Sequence, residues 1–325
     1  QRSATTRSLR RERARAPARR MAALVAVAVL VGCTVDADVG RLERCALGIH
    51  SRAIDAVEAE LGGRFALERT FHHWDDVFPT DAERASTVAG RSIVASFNGK
   101  RSSGDLSFTR IADPDDGEIA ADLAAMAARV RAFGDPIFLV FHDEADNDRS
   151  FGTPAEFVAA WRRVVDAFRA AGADNVIWVW SASAKAFPSE ADAWYPGDDY
   201  VDWIGATGFN WYNAEPASPW RTFASVFASF FDWSSIHPRP LMIVSTAVGE
   251  NPTVAPGDAQ SKPTWIREAL ATIVAEPRLQ GVVWFAESLD EEYRDWRVDS
   301  SAAALVAFRA LFEDPHFDLT GRAPP

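Results

Sequence analysis

Two stretches of the chain decide its fold: Pro136-Ile-Phe-Leu-Val-Phe-His142-Asp143-Glu144 and Pro240-Leu-Met-Ile-Val-Ser245-Thr246. Each is a short run of apolar, largely β-branched or aromatic residues that starts at a proline and opens into polar side chains. That pattern predicts a strand buried on both faces, with proline at the entry where a missing N–H is tolerated. In a parallel barrel, the polar residues after such a strand stand at its carboxyl end, where the chemistry collects. The first stretch ends in a carboxylate and the second in a serine.

Working outward, the same pattern recurs. Strands are expected over residues 45–50, 65–71, 92–97, 136–141, 175–180, 201–207, 241–245 and 281–285. Helical spacing of apolar residues between them is clearest over 119–133, 154–171, 219–231 and 263–275, with Pro154, Pro219 and Pro263 near the starts. Eight strand–helix alternations in one acidic chain of 325 residues, 48% of them hydrophobic, predict an α/β fold, a single (β/α)8 barrel over 43–325. A doubly wound sheet would call for a glycine-rich phosphate loop, and the sequence has none.

The head of the chain reads differently. Eight arginines and one glutamate precede Cys33, giving that segment +7 and leaving −19 on the rest of a chain whose net charge is −12. The basic residues run into Met21-Ala-Ala-Leu-Val-Ala-Val-Ala-Val-Leu-Val-Gly-Cys33, which is too short to span a bilayer and has the layout of an export signal. Leu30-Val31-Gly32-Cys33 resembles the lipobox of bacterial lipoproteins, so residues 1–33 are expected to be a lipoprotein-type signal and 34–42 a polar tether. Export to the cell surface or medium is expected, with membrane contact only through a lipid on Cys33. The other cysteine, Cys45, is then unpaired; without lipidation it has Cys33 as its one possible disulfide partner. A body this acidic repels nucleic acid and anionic membranes, so a neutral partner and a monomeric domain are expected.

At the expected strand ends lie His50, His72, Trp74, Asn98, His142, Asp143, Glu144, Trp180, Phe209, Asn210, Trp211, Tyr212, Ser245, Trp284 and Glu287. Indoles stack on the apolar faces of sugar rings while Asn and His bond hydroxyls, so this set points to carbohydrate. The six histidines have no metal-ligand spacing, no serine sits in a Gly-x-Ser-x-Gly elbow, and neither metal nor cofactor is expected.

Trp74-Asp-Asp-Val-Phe-Pro79, Phe141-His-Asp-Glu144, Asn175-Val-Ile-Trp-Val-Trp180, Tyr195-Pro-Gly-Asp-Asp-Tyr-Val-Asp-Trp-Ile-Gly205, Phe209-Asn-Trp-Tyr212 and Asp295-Trp-Arg-Val298 together resemble glycoside hydrolase family 26 over about residues 46–318. The resemblance implies a barrel that acts on β-mannan or related β-linked polysaccharide. It implies Glu144 as general acid/base, His142 as a sugar-contacting or orienting group, and Trp211 and Tyr212 as an aromatic loop. Two positions depart from the family. Ser245 stands where the nucleophilic glutamate is expected, opposite Glu144 across the mouth, and Phe209 replaces that glutamate's tyrosine partner. Glu250, Glu287 and Asp143 are the candidate replacement carboxylates. Two functions follow: an exported β-glycanase with altered catalytic apparatus, or a glycan-binding pseudoenzyme that has lost catalysis.

Overall fold

The computed structural model describes residues 44–212, 218–289 and 294–319. The export-type segment, Cys33 and the tether at 34–42 lie outside the described residues.

Eight parallel strands form the barrel: β1 (Cys45–His50), β2 (Leu67–His72), β3 (Ser92–Phe97), β4 (Ile137–Phe141), β5 (Val176–Ser183), β6 (Trp203–Asn210), β7 (Leu241–Val248) and β8 (Leu279–Phe285). Each pairs with the next, and β1 pairs with both β2 and β8, which closes the sheet. A two-residue strand, β9 (Phe317–Asp318), adds to the outside of β1. The (β/α)8 expectation holds. Four strands run past their expected ends, β2 by one residue to His72, β5 to Ser183, β6 to Asn210 and β7 to Val248.

The helices are α1 (Ile54–Leu61), α2 (Asp81–Val88), α3 (Phe108–Ala112), α4 (Gly117–Phe133), α5 (Pro154–Ala170), α6 (Ala191–Trp194), α7 (Phe223–Ser234), α8 (Lys262–Ala275) and α9 (Ala302–Phe312). Their starts are written locally. Thr80 with Glu83 and Thr153 with Glu156 form capping boxes, each satisfying two otherwise orphan N–H groups. Pro154 opens α5, as its fixed φ favours. Helix α7 begins four residues later than Pro219 suggested, because the Thr222 hydroxyl accepts from the Ser225 N–H and sets the cap there.

Alternation along each strand sorts the core into two layers. Ala46, Leu67, Val94, Phe138, Val140, Ile177, Val179, Trp203, Met242, Val244 and Val283 fill the barrel interior. The other set packs the sheet against the helices and includes Phe141, Trp161, Trp178, Trp180, Trp265 and Trp284. In the interior the Trp203 ring meets Phe138 edge-on at 5.2 Å between centroids. Gly205 leaves room beside it: a Cβ there would stand 2.4 Å from a Val244 methyl. Val244 is the extra residue of a bulge, since Ala206 pairs with Ile243 but Thr207 with Ser245. The bulge matters for the site. It moves Ser245 onto the inward face of β7, alongside Thr207.

Candidate active site

Above the apolar layer the inward positions turn polar. Arg69 on β2 is almost completely buried, and its guanidinium donates to the Val244 carbonyl, to Ser96 Oγ at 3.0 Å and to Asp143 Oδ2 at 2.5 Å. Thr207 on β6 donates from Oγ1 to the same carboxylate, at 3.1 Å to Oδ2. Asp143 therefore ties β4 to β2 and β6 across the barrel, with its side chain 13% exposed.

Alternation alone would point His142 inward, because Phe138 and Val140 are interior residues. The backbone overrides it. His142 and Glu144 both have φ of 53°, a left-handed conformation that costs a non-glycine residue about 1–3 kcal/mol and persists where surrounding structure imposes it. The first turn swings the imidazole outward between Phe108 and Phe151, with ring centroids at 4.7 and 4.3 Å, and presents Asp143 inward instead. Burial pushes the His142 pKa down to about 4, so the ring is neutral at ordinary pH.

Glu144 follows at the lip. It is half-buried, and its Oε1 accepts from Asn147 Nδ2 at 2.8 Å. Burial first, then the charges of Asp143 and Asp146, push its pKa from 4.5 up to about 8, against the opposing pull of Arg69 and Lys185. Asp146 lies behind it, 9% exposed, with both oxygens taken by the Ser183 N–H and hydroxyl. At neutral pH Glu144 is a carboxylic acid facing an open cleft.

That cleft, of about 430 Å³, is lined by Glu144, Asn147, Lys185, Thr207, Phe209, Trp211 and Arg221, among others. Trp211 is 36% exposed and stands edge-on to Trp296 at 5.3 Å, with Phe209 tilted between them. The aromatic wall continues from Trp296 through Phe285 to His50 and to Phe71, which is 46% exposed. It runs across the mouth from β6 to β2.

Several residues expected at the site are placed elsewhere. His72 faces outward from β2, stacked on Phe78 with Nε2 2.8 Å from Glu83, where it braces α2. Trp74 is buried and donates from Nε1 to Asp122, beside a separate small cleft. Trp180 and Trp284 lie in the outer core, Trp180 against Phe187, Tyr195 and Trp233, Trp284 against Trp265 and Phe308. Strand-end position was not enough to bring an indole to the mouth, because each sits at an outward-facing register. Asn210, fully buried, shapes the loop after β6 by donating to the Arg221 carbonyl and accepting from the Tyr212 N–H. Asn98 accepts from the Lys100 N–H in the turn after β3, and Tyr212 packs on Trp220.

The replacement carboxylates differ as well. Glu250 lies two residues past the end of β7 and accepts from Ser300 Oγ at 2.8 Å. Glu287 accepts from the Arg52 N–H at 2.5 Å. Both carboxylates are engaged by loops outside the cleft lining. Ser245 is 3% exposed and, with three strand residues after it, lies within β7 rather than at its end. Arg69, Thr207, Asp146, Phe71, Phe285 and Trp296 were missed as site residues; strand parity on β2 and β6 was the available signal for the first two.

Cys45 is buried in β1 and its thiol pKa is raised by that burial, which makes it a packing residue. Among the described residues no group of three or more His, Cys, Asp or Glu side chains is arranged to hold a metal, and no helix is long and apolar enough to cross a membrane.

A parallel barrel with a protonated glutamic acid beside an arginine-held aspartate, facing an aromatic-walled cleft at the strands' carboxyl ends, has the layout of a glycoside hydrolase barrel. The sequence profile of glycosyl hydrolase family 26 matches residues 142–232. Endoglucanase H of Acetivibrio thermocellus is 31% identical over 210 residues, 61% of this chain and 22% of that protein. A β-1,3-xylanase of a Vibrio species is 28% identical over 112 residues, 32% of this chain and 24% of that one. The chain thus spans about a quarter or less of the curated relatives it matches. A family 26 β-mannanase from Bacteroides ovatus superimposes with a TM-score of 0.62 at 14% identity, over 87% of this chain and 92% of that one. The catalytic domain of a Bacillus endo-β-1,4-mannanase gives 0.62 at 17%, over 88% and 90%. At such identities the structural likeness is one of fold. These findings bear out the resemblance to glycoside hydrolase family 26 read from the sequence, with the profile match falling on residues 142–232.

Proposed function

We propose that this protein binds and cleaves a β-linked polysaccharide, with Glu144 as the proton donor to the leaving glycosidic oxygen. One observation carries the reading: Glu144 is a half-buried acid with pKa raised to about 8, at the lip of a cleft whose wall is exposed aromatic surface. An acid that keeps its proton at neutral pH and meets a sugar-stacking wall suits general acid catalysis of glycoside cleavage. The names of the relatives span glucan, xylan and mannan, so the substrate class is a β-linked glycan of one of these types.

The alternative is a glycan-binding protein without catalysis, and Ser245 favours it: β7, whose sequence is Leu-Met-Ile-Val-Ser-Thr-Ala-Val, offers no carboxylate to the mouth. Reducing-sugar release from β-1,4-glucan, β-1,4-mannan and β-1,3-xylan decides between them. Cleavage that drops at least a hundredfold in Glu144→Gln supports the enzyme. Binding to one of the glycans without cleavage leaves the binding protein.

The site's setting in the cell belongs to the same proposal. The basic, then apolar, segment ending at Cys33 supports export with a lipid on Cys33 and a monomeric barrel held at the surface by its tether.

A further inference from the structure

The chain as a whole is acidic, with 46 Asp and Glu against 34 Lys and Arg. The cleft is not. The titratable side chains that line it are Glu144, Lys185 and Arg221. Glu144 keeps its proton at neutral pH, because burial and neighbouring charge push its pKa up to about 8, so the lining carries two cations and no ionised carboxylate. The carboxylates behind it are already bound, Asp143 by Arg69 and Asp146 by Ser183. At physiological salt a charge acts over about 8 Å, so a ligand in the cleft feels these two cations more than the acidic surface beyond.

Both cations stand on fixed backbone. The Arg221 carbonyl accepts from Asn210 Nδ2 and from Trp265 Nε1, each at 2.9 Å, and both donor side chains are fully buried. Its guanidinium donates to the Ser225 carbonyl in the first turn of α7 and has further N–H groups to offer a ligand. Lys185 lies in a short turn after β5, Ala184–Ala186, whose two alanines are buried and which packs on α7. The lysine is exposed between them, and among the described residues its ammonium has no hydrogen-bond or ion-pair partner. A guanidinium matches a planar carboxylate through two parallel N–H bonds, and an ammonium adds a point charge beside it. The exposed face of Trp211 in the same lining suits the apolar side of a sugar ring. We infer that the cleft takes a β-linked glycan that carries carboxylate, a hexuronate unit in the chain or on a branch, and that Lys185 and Arg221 hold that group. This rests on the glycan reading proposed above and narrows its substrate class.

The test is calorimetric titration with oligosaccharides matched except for the carboxylate. A β-1,4-glucuronate oligomer is set beside the matching β-1,4-glucan oligomer, a β-1,4-mannuronate oligomer beside the mannan oligomer, and a xylan oligomer with a glucuronate branch beside the unbranched one. Wild type and Glu144→Gln are both titrated, the second having no proton donor for cleavage. In at least one pair the acidic member should bind about tenfold more tightly at low salt, since an exposed ion pair contributes up to about fivefold and two act together. That preference should shrink severalfold in about 0.5 M salt. Lys185→Gln with Arg221→Gln should bring the ratio of the two affinities close to one, whereas Lys185→Arg with Arg221→Lys should keep most of it. The pair that shows the preference tells whether the carboxylate belongs to the chain or to a branch. Neutral members that bind as tightly as the acidic ones in all three pairs, or a ratio unchanged by the double Gln variant, overturn this inference and leave the glycan reading standing. A protein that binds none of these oligosaccharides and none of the polysaccharides above overturns both.

Discussion

Replacing Glu144 by Gln should make the barrel more stable at alkaline pH, and by an amount the structure sets. The carboxyl is pushed from 4.5 to about 8, mainly by burial and then by Asp143 and Asp146. Between these two values the folded chain keeps a proton that the unfolded chain has lost. Stability therefore falls as pH rises from about 4.5 through about 8, and levels off above. Each pH unit of the interval corresponds to about 1.4 kcal/mol. The full interval would give a ceiling of about 5 kcal/mol. Cleft water screens the half-exposed carboxyl, which brings the expected loss to on the order of 2 kcal/mol. Gln keeps the shape and can still accept from Asn147, but it has no charge to bury. For a domain of this size 2 kcal/mol moves the melting temperature by about 4–6 °C. Scanning calorimetry from pH 5 to 9 on both proteins gives the comparison directly. The two should melt together near pH 5, and Glu144→Gln should melt higher at pH 9. Other titrating groups, such as the buried His142, act alike in both proteins and cancel in the difference. Melting curves that stay parallel across the range would refute the claim that the fold holds Glu144 in its acid form.

Trp211→Ala should weaken binding of a β-glycan oligosaccharide about tenfold by calorimetric titration with little change in melting temperature, since the indole lies at the cleft surface. Trp180→Ala should do the reverse, costing about 3–5 kcal/mol of stability in chemical denaturation, because that indole is 1% exposed in the outer core. Phe138→Ala should cost a similar 3–5 kcal/mol by opening a hole beneath Trp203 in the barrel interior. If Cys33 is lipidated, the mature protein partitions into detergent and Cys33→Ser releases it to the aqueous phase; an intact mass without lipid rules the anchor out.

The period of the apolar runs was enough to specify a closed parallel barrel. Strands buried on both faces read as unbroken Val, Ile and Phe, and capping residues such as Thr153 and Thr80 with their glutamates mark helix starts within a few positions. Those are local rules, and local sequence carries them. Which strand-end side chain faces the mouth is a different matter, because it depends on register and on departures from simple alternation. Trp180 and Trp284 fell on outward registers. A bulge at Val244 turned Ser245 inward, and two left-handed residues exchanged His142 for Asp143. Arg69 could not be singled out from sequence, since its value lies in partners 27, 74 and 175 positions away in the chain. The sequence by itself determined the barrel, the acidic surface and Glu144 as a strand-end carboxyl. Only the tertiary structure decided that burial and neighbouring charge keep Glu144 protonated and that Arg69 and Thr207 fix Asp143 beside it, because desolvation and ion pairing are properties of space rather than of chain order.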